Sequence, residues 1–367
     1  MKFCFVMPSF IKDAKGGSEI QAYLAAQELL RRGWEVYYIR ENNQYYGKVK
    51  KIDGIFVYSL HKRHTKLKWL NSRSLFRVMD DIRADYWYCR GTVSYIYPVW
   101  RNSSKVGGKI LWACSSDRFL SKRIIRELNK ESLLRRIASR IDRSLFQKCI
   151  REIDLIILQN NEQKRLLKKN FGLDGKIIYN ICPTIPVIDK KREPLVLWVG
   201  RLKYNKHPEI FIEVVKGLKE KPYRFLAVGR DAEGLGFAEK YSEIEKHVPT
   251  FNYMGELEKR EVFRLFERAK LLVNTSDYEG FPSTFIEAWM HGVPVVSLNV
   301  DPDKMIQKNG LGKVSGNMIQ FVRDIEQLME DQKLWDEISH RCRRFAEENF
   351  DVKKNVNMLE KMIKGLK

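Results

Sequence analysis

The segment that decides the fold is DYEGFPSTFIEAWMHGVPVVS, residues 277–297. The apolar run LLVNTS (271–276) before it predicts a strand, and Gly280-Phe281-Pro282 predicts a tight turn. An amphipathic run from Thr284 to Met290 predicts a helix, which His291-Gly292-Val293-Pro294 ends before a second strand begins at VVSL. The order of strand, turn, helix, turn and strand is typical of a parallel α/β fold.

Two carboxylates, Glu279 and Glu287, lie on this unit with seven residues between them. In parallel α/β units, ligands bind at the carboxyl ends of the strands and anions bind at helix N-termini. Carboxylates at the turn and inside the helix can accept hydrogen bonds from hydroxyl groups, so the pattern favours a nucleotide sugar. The alternative is an ordinary strand–helix–strand turn with two surface glutamates, because pairs at this spacing are common.

A proline-rich segment, CPTIPVIDKKREP (182–194), predicts a boundary between two domains. Strands alternate with helices on both sides of it, which predicts parallel sheets with helices on both faces. We expect an N-terminal Rossmann-like domain at 1–183, a linker at 184–194, a second Rossmann-like domain at 195–350 and a final helix at 351–367.

Two loops at predicted strand ends carry glycines and cations. After the buried strand PLVLWVG (194–200), Arg201 and Lys206 could clamp a diphosphate and stabilise the charge on a leaving nucleotide. The alternative for this loop is a solvated turn. Near the N-terminus, Gly16-Gly17 lets the backbone approach a ligand, and Ser18 is expected to cap the helix that follows.

These motifs together resemble the family 4 retaining glycosyltransferases. The resemblance rests on the stretch 277–297, on Gly200-Arg201-Leu202 followed by Lys206, and on GGSE at 16–19. It implies an α/β fold of the GT-B type, with two Rossmann-like domains facing each other across a cleft. It also implies that the helix at 351–367 crosses back to the N-terminal domain.

The resemblance implies a role for each site residue. Arg201 and Lys206 would act catalytically on the leaving diphosphate, Glu279 would contact the hydroxyls of the donor sugar, and Glu287 would contact the ribose. The other donor-binding positions would be Gly16, Gly17, Gly200, Gly255, Leu257, Gly280, Phe281, Pro282, Ser283 and Thr284.

The family's chemistry implies retaining transfer of a hexosyl group from a UDP- or GDP-sugar. The acceptor would attack from the face that the diphosphate leaves, and the phosphate would take the acceptor's proton. Neither a metal nor a cofactor beyond the nucleotide-sugar co-substrate is expected. The alternative is a non-catalytic protein of the same fold that binds a nucleotide sugar or a nucleic acid.

One position departs from the family pattern, in which a His often follows an N-domain strand near the reacting centre. Here the strand KILWAC (109–114) runs into Ser115, Ser116 and Asp117. Asp117 is either a polar substitute that contacts sugar or acceptor, counted here among the catalytic candidates, or the N-cap of the next helix. Arg90, at the end of an earlier predicted strand, is placed similarly.

The positive charge is concentrated in the first half of the chain. Residues 1–190 carry 37 Lys and Arg against 18 Asp and Glu, whereas the rest carries 30 against 28. The segment 119–150 is basic with apolar residues at near-helical spacing, which suits an anionic membrane surface. The alternative is core-packed helices with basic solvated faces, and no nucleic-acid partner is expected because no recognised motif accompanies the charge.

The composition is that of a globular enzyme, with 44% hydrophobic and 31% charged residues in a chain of 367. Six cysteines without a C-x-x-C pair favour a reducing compartment and no structural zinc. We therefore expect a cytoplasmic protein. Together with the basic segment, this also allows a peripheral position at the inner face of the cell membrane. A glycan or lipid-linked acceptor in bacterial cell-surface polysaccharide synthesis would fit by analogy.

Overall fold

The computed structural model describes residues 1–13, 16–62, 71–91, 93–120, 133–186, 192–231 and 234–366. The chain forms two compact units. Unit 1 comprises Met1–Ile181 and Val352–Lys367, and unit 2 comprises Cys182–Asp351. Part of the basic segment, 121–132, and part of the predicted linker, 187–191, lie outside the described residues.

The strands of unit 1 alternate with helices along the chain. The strands are β1 Lys2–Val6, β2 Glu35–Glu41, β3 Val49–Ile52, β4 Ile55–Leu60, β5 Tyr86–Arg90, β6 Lys109–Ala113, β7 Leu155–Leu158 and β8 Lys176–Ile177. The helices are α1 Gly17–Arg31, α2 Ser72–Ile82, α3 Ile96–Val106, α4 Leu133–Cys149 and α5 Asn161–Phe171.

The sheet of unit 1 has the order β3-β4-β2-β1-β5-β6-β7-β8. All its pairs are parallel except β3 with β4, which form an antiparallel hairpin at the edge. Both faces are covered, because successive residues of β1 enter different cores: Cys4 packs in one apolar cluster and Phe5 in the other. A continuous apolar strand with both faces buried is what a parallel sheet requires.

The last helix of the chain, α13 (Val352–Lys364 in the structure), packs in unit 1. Its apolar stripe of Val356, Leu359 and Ile363 joins the core cluster that contains α1. Arg32 forms an ion pair with Glu360 at 3.2 Å. Hydrophobic packing along one face and polar contacts at its margin therefore hold this segment on unit 1.

Unit 2 repeats the alternation of strands and helices. Its strands are β9 Leu195–Val199, β10 Arg224–Val228, β11 Phe251–Tyr253, β12 Leu271–Asn274, β13 Val295–Ser297 and β14 Gly312–Val314. Its helices are α6 Pro208–Gly217, α7 Phe237–His247, α8 Lys259–Arg268, α9 Ser283–Met290, α10 Met305–Asn309, α11 Met318–Glu330 and α12 Gln332–Asn349. The sheet is parallel throughout, in the order β11-β10-β9-β12-β13-β14.

The beginning of the predicted linker is held within unit 2. The Cys182 amide donates to the Phe350 carbonyl oxygen at 2.9 Å, and the Thr184 hydroxyl donates to an Asp351 carboxylate oxygen at 2.5 Å. On the far side of the linker, the Arg192 guanidinium donates to the Phe266 carbonyl oxygen at 2.6 Å. Hydrogen bonds to unit 2 therefore flank the segment 187–191 on both sides.

Candidate functional site

The sheet of unit 2 changes direction at β9. The chain proceeds from β9 outward through β10 and β11, then returns to the other side of β9 with β12 and continues outward to β14. The loops after β9 and β12 therefore leave adjacent carboxyl ends in different directions and open a crevice, which is where open α/β sheets bind ligands. These two loops contain Arg201, Lys206 and Glu279.

Hydrogen bonds tie the two loops together. The Asp277 amide donates to the Asn205 carbonyl oxygen at 3.1 Å, and the Thr275 hydroxyl donates to the Lys206 carbonyl oxygen at 2.6 Å. The His207 ring lies between two carboxylates, with Nε2 2.6 Å from an Asp277 oxygen and Nδ1 2.6 Å from a Glu209 oxygen. The positions of both loops are therefore fixed relative to each other.

The Lys206 ammonium and the Glu279 carboxylate form an ion pair at this junction. Both side chains are largely buried, with 21% of Lys206 and 16% of Glu279 exposed. The same Glu279 oxygen accepts a hydrogen bond from the Ser276 hydroxyl at 3.1 Å. Burial lowers the pKa of Lys206, and the positive charges of Arg201 and Lys203 lower it further. The Glu279 carboxylate opposes both effects by favouring the ammonium form.

Arg201 differs from Lys206 in its surroundings. Its side chain is exposed, and within the part of the chain that the structure describes it has no carboxylate partner. Its guanidinium is close enough to Lys206 to disfavour the charged amine. Two cations held next to each other, with a carboxylate for only one of them, form an attractive site for a polyanion.

Glycines at three strand ends bring the backbone close together. A Cβ atom on Gly229 would lie 1.7 Å from the Gly200 carbonyl oxygen, and Gly229 has φ of +149°. The Gly229 amide donates to the Gly255 carbonyl oxygen at 2.7 Å. Gly255 turns with φ of +62° toward the half-buried Leu257. The loops after β9, β10 and β11 are thus joined through main-chain contacts that side chains would prevent.

Helix α9 begins at Ser283, one residue before the predicted start, with Pro282 in the N-cap position. Gly280 is half-buried just before it, and Ser283 and Thr284 are half-buried in its first turn. Because the first N–H groups of a helix have no intrahelical acceptor, this turn can bind an anion. The Phe281 side chain is buried against Phe350, with ring centroids 5.5 Å apart, so it packs in the core of unit 2.

Glu287 lies inside α9 and is 5% exposed. One carboxylate oxygen is paired with the Lys259 ammonium, and the other, Oε2, is buried without a hydrogen-bond partner. Burial lowers the pKa of His291 to about 4, so its imidazole is neutral and donates from Nδ1 to the Glu287 carbonyl oxygen at 2.7 Å. The sequence analysis missed Lys259, although this residue follows the predicted Gly255 loop directly and opens α8.

Unit 1 has a similar change of direction at β1, between β2 on one side and β5 on the other. The loop after β1 leads to Gly16 and Gly17 at the start of α1. The prediction that Ser18 caps this helix is wrong, because Gly16 occupies the N-cap position and Ser18 is already helical. A Cβ atom on Gly16 would lie 2.3 Å from a Glu19 carboxylate oxygen, the end of a flexible side chain.

Asp117 opens a single 3₁₀ turn, Asp117–Phe119, and Ser116 is the residue before that turn. The N-cap alternative for Asp117 is therefore wrong. One Asp117 carboxylate oxygen accepts a hydrogen bond from the Gln163 side-chain amide at 3.0 Å. Gln163 is fully buried near the start of α5, so Asp117 is attached to the carboxyl-end edge of the unit 1 sheet.

Among the described residues, no group of three or more His, Cys, Asp or Glu side chains is placed to hold a metal ion. In the same residues, no helix has the length and apolar character needed to span a membrane.

A family model matches most of the second unit. Residues 185–349 match the family described as glycosyl transferases group 1. The chain as a whole has the GT-B fold. It is similar to the structure of HepE from Anabaena in complex with UDP, with a TM-score of 0.73 and 16% identity. The similarity covers the full length of both chains.

Curated relatives match this chain at 22% to 28% identity. An uncharacterized glycosyltransferase of Haemophilus influenzae is 22% identical over 91% of this chain and 92% of the relative. A Campylobacter jejuni relative is 28% identical over 42% of this chain and 45% of its own length. Its name is GalNAc-α-(1→4)-GalNAc-α-(1→3)-diNAcBac-PP-undecaprenol α-1,4-N-acetyl-D-galactosaminyltransferase. The first two curated relatives match over 48% and 45% of their length, so the chain spans about half of each.

Proposed function

We propose that this protein is a retaining glycosyltransferase that moves a sugar from a UDP- or GDP-sugar to a glycan or lipid-linked acceptor. The observation that carries the proposal is the junction of the β9 and β12 loops, where Lys206 pairs with the Glu279 carboxylate and the charge of Arg201 acts on Lys206. A nucleotide sugar offers a diphosphate for the cations and hydroxyls for the carboxylate. The acceptor class is suggested by the name of the Campylobacter relative, which specifies a glycan linked to undecaprenol by a diphosphate.

In the proposed reaction, the bond between the anomeric carbon and the diphosphate oxygen breaks, and negative charge accumulates on the leaving phosphate. Arg201 and Lys206 would stabilise this charge, since preorganised cations act most strongly where charge develops in the transition state. The sugar would pass through an oxocarbenium-like state while Glu279 accepts hydrogen bonds from its hydroxyls. Glu287, whose Oε2 is buried and unpaired, would accept hydrogen bonds from the ribose.

Retention of configuration would come from attack on the face that the diphosphate leaves. The acceptor hydroxyl forms the new bond to the anomeric carbon and gives its proton to the departing phosphate oxygen. Glu279 is a poor candidate for a covalent nucleophile, because Lys206 and Ser276 already engage one of its oxygens. Two protein cations at the phosphate would supply the charge neutralisation that other transferases obtain from a metal ion, so we propose that the reaction is metal-independent.

A ligand screen tests the donor site directly. Thermal unfolding would be followed with UDP, GDP, ADP, CMP and their sugar conjugates, with and without EDTA. A nucleotide present at about one hundred times its Kd should stabilise the protein by roughly 2.7 kcal/mol. Only nucleotides that carry one particular base should stabilise the protein. The stabilisation should persist in EDTA and disappear in Lys206→Ala and Glu287→Ala. Lys246→Ala is the matched control, since Lys246 is an exposed lysine paired with Glu243 on α7.

The outcomes separate the alternatives. Nucleotide binding followed by product with the anomeric configuration of the donor, determined by NMR, supports the proposal. Binding without transfer or donor hydrolysis points to the non-catalytic alternative. The absence of stabilisation by any nucleotide contradicts the donor site itself, and a requirement for Mg²⁺ or Mn²⁺ contradicts metal independence.

We also propose that unit 1 binds an anionic membrane surface from the cytoplasmic side. Helix α4 exposes Ile137 (44%) and Ile141 (38%), one helical turn apart, with the exposed Arg140 beside them. A helix with apolar and basic side chains on its outer face can lie in the head-group region of a bilayer. This position would bring the enzyme to a lipid-linked acceptor.

Vesicle sedimentation tests the membrane surface. The variant Arg140→Glu should reduce binding to vesicles containing phosphatidylglycerol by about tenfold, since each basic residue near such a surface contributes ~1 kcal/mol. Arg83→Glu makes the same charge change on an exposed arginine at the end of α2 and should leave binding unchanged. Equal binding by wild type and Arg140→Glu would contradict a membrane role for α4.

A further inference from the structure

A buried arginine without a counter-ion lies at the carboxyl end of β5. Arg90 is 8% exposed. Its Nη1 donates to the Tyr88 hydroxyl at 3.2 Å and its Nη2 to the Asn180 side-chain oxygen at 2.6 Å. Its Nε is buried and has no hydrogen-bond partner. Every side-chain partner that Arg90 has among the described residues is therefore neutral.

This arrangement is unfavourable for folding. A charge removed from water is costly unless it is paired, and a guanidinium stays charged inside proteins. Arg40, in the same sheet, shows the usual solution: it is 3% exposed, and its Nη1 lies 2.6 Å from each oxygen of the Asp13 carboxylate. In unit 1, the buried Arg40 is thus neutralised by Asp13, whereas the buried Arg90 keeps an Nε–H without an acceptor among the described residues.

The position of Arg90 is that of a ligand site. It ends β5, which together with β1 forms the change of direction in the unit 1 sheet, where open α/β sheets bind ligands. The next residue, Gly91, has φ of +77°, and a Cβ atom there would lie 2.7 Å from the Ser115 hydroxyl and 3.4 Å from that of Ser18. Hydroxyl groups from the loop after β6 and from the first turn of α1 therefore meet at this edge.

The neutral partners of Arg90 are themselves held in place. The Asn180 oxygen that accepts from Arg90 also accepts from the Gln159 side-chain amide at 2.8 Å. The nearest acidic group in this network, Asp117, is connected through Gln163 and accepts from its amide. The guanidinium is thus oriented by dipoles, and no described carboxylate forms an ion pair with it.

We propose that Arg90 is the anchor of an anion subsite in unit 1 that binds a phosphate or carboxylate group of the acceptor. This rests on the proposed function above, since it names the chemistry of the second substrate. The anion would accept from the guanidinium, including the unused Nε–H, and from the hydroxyls of Ser18 and Ser115. The donor's diphosphate has its own cations in Arg201 and Lys206, so Arg90 remains for the acceptor.

NMR of the arginine side chains tests the subsite without knowledge of the acceptor. The full-length protein would be labelled with ¹⁵N-arginine, and the Nε–Hε signal of Arg90 would be assigned by its loss in Arg90→Lys. Inorganic phosphate would be added to protein saturated with the nucleotide found by the ligand screen, at constant ionic strength with chloride as the reference. We expect a saturable shift of the Arg90 signal, retained in Arg201→Ala and, in the absence of nucleotide, in Lys206→Ala.

Two results in this experiment would overturn the proposal. An Arg90 signal that responds to phosphate no more than to chloride would exclude an anion subsite. A signal that moves on addition of the nucleotide alone, and does not move further with phosphate, would assign the anion to the donor. Either result can occur while nucleotide binding in unit 2 is intact, so it is distinguishable from failure of the donor site.

Stability measurements give an independent test. Without phosphate, Arg90→Met should unfold at the same temperature as wild type or higher, since an apolar side chain replaces an uncompensated buried charge. Its phosphate affinity should be weaker by about tenfold or more. Arg40→Met is the matched control and should lower the unfolding temperature, because it leaves the Asp13 carboxylate without its cationic partner. A comparable loss of stability in both variants, with unchanged phosphate affinity in Arg90→Met, would show that Arg90 is structural.

Discussion

The two units contain the same topological feature but surround its cation differently. Each sheet changes direction beside its first strand, β1 in unit 1 and β9 in unit 2, and each places an arginine on an adjacent loop or strand end. In unit 2 the buried cation Lys206 is paired with Glu279, and the exposed Arg201 extends the charge. In unit 1 the buried cation Arg90 has only neutral partners. The fold therefore provides the position of a site, and the residues at the strand ends decide what it binds.

The largest expected effect is on catalysis in unit 2. Arg201→Ala and Lys206→Ala should each lower kcat by about 10²–10³-fold, as for removal of one preorganised group that stabilises transition-state charge. Single-turnover measurements with the identified donor would separate this from slower product release. Lys246→Ala should keep wild-type turnover. Near-normal kcat in both Arg201→Ala and Lys206→Ala would contradict a catalytic role for the cations of unit 2.

Glycine substitutions compare the backbones of the two sites. In Gly229→Ala the new Cβ would lie 1.7 Å from the main-chain oxygen of Gly200. This oxygen cannot move away without displacing the end of a strand. We expect a loss of about 2–4 kcal/mol and loss of nucleotide binding. In Gly91→Ala the contact is with the Ser115 side chain, which can rotate away. The loss of stability should therefore come mainly from the left-handed φ and amount to about 1–2 kcal/mol.

Thermal unfolding with and without nucleotide would measure both variants. Gly91→Ala should retain nucleotide binding, because its backbone belongs to unit 1. Equal destabilisation by the two substitutions would mean that the close approach at Gly229 relaxes easily.

The alternation of strands and helices was predictable because apolar periodicity follows local geometry, and the segment from β12 to β13 shows it clearly. The sequence also predicted which loops carry Arg201, Lys206 and Glu279. It could not predict that Lys259 pairs with Glu287, since this contact depends on how α8 packs beside α9. The β3–β4 hairpin was missed, because VKKI is short and exposed at the sheet edge.

The errors at Ser18 and Asp117 have a common physical origin. Serine and aspartate are both frequent N-cap residues, so a cap was the natural interpretation at each position. In the structure Gly16 takes the N-cap position of α1 without a side-chain cap, and Asp117 accepts from a helix distant in sequence. Contacts of this kind arise only after the strands are assembled. The burial of Arg90 without a carboxylate is likewise visible only in the folded unit.

The ionisation of Lys206 predicts a pH dependence that unit 1 should not share. Because burial and neighbouring cations lower the pKa of Lys206, part of it is neutral at a pH where an ordinary lysine, with pKa of about 10.4, is charged. A bound diphosphate favours the ammonium, so nucleotide binding should take up protons and weaken as pH rises toward that ordinary value. Calorimetry in buffers of different ionisation enthalpy would measure the uptake, which should vanish in Lys206→Ala. Proton release instead of uptake would contradict the lowered pKa.

The smallest expected effect concerns the connection between the two loops of unit 2. The Asp277 carboxylate, and then that of Glu209, raise the pKa of His207 despite its partial burial. Its contribution to stability is therefore complete below the unfolded pKa of about 6.5 and is lost as pH rises through the raised folded value. Asp277 is 55% exposed, so we expect the pair to contribute less than about 1 kcal/mol to the free energy of unfolding.

The variant His207→Asn tests this contribution. His207 has φ of +45°, which asparagine tolerates, so the substitution removes the charge and keeps the backbone conformation. Its unfolding temperature should be lower than that of wild type at pH 6 and equal at pH 9, and an equal deficit at both would mean that the charge of His207 does not hold the loops together.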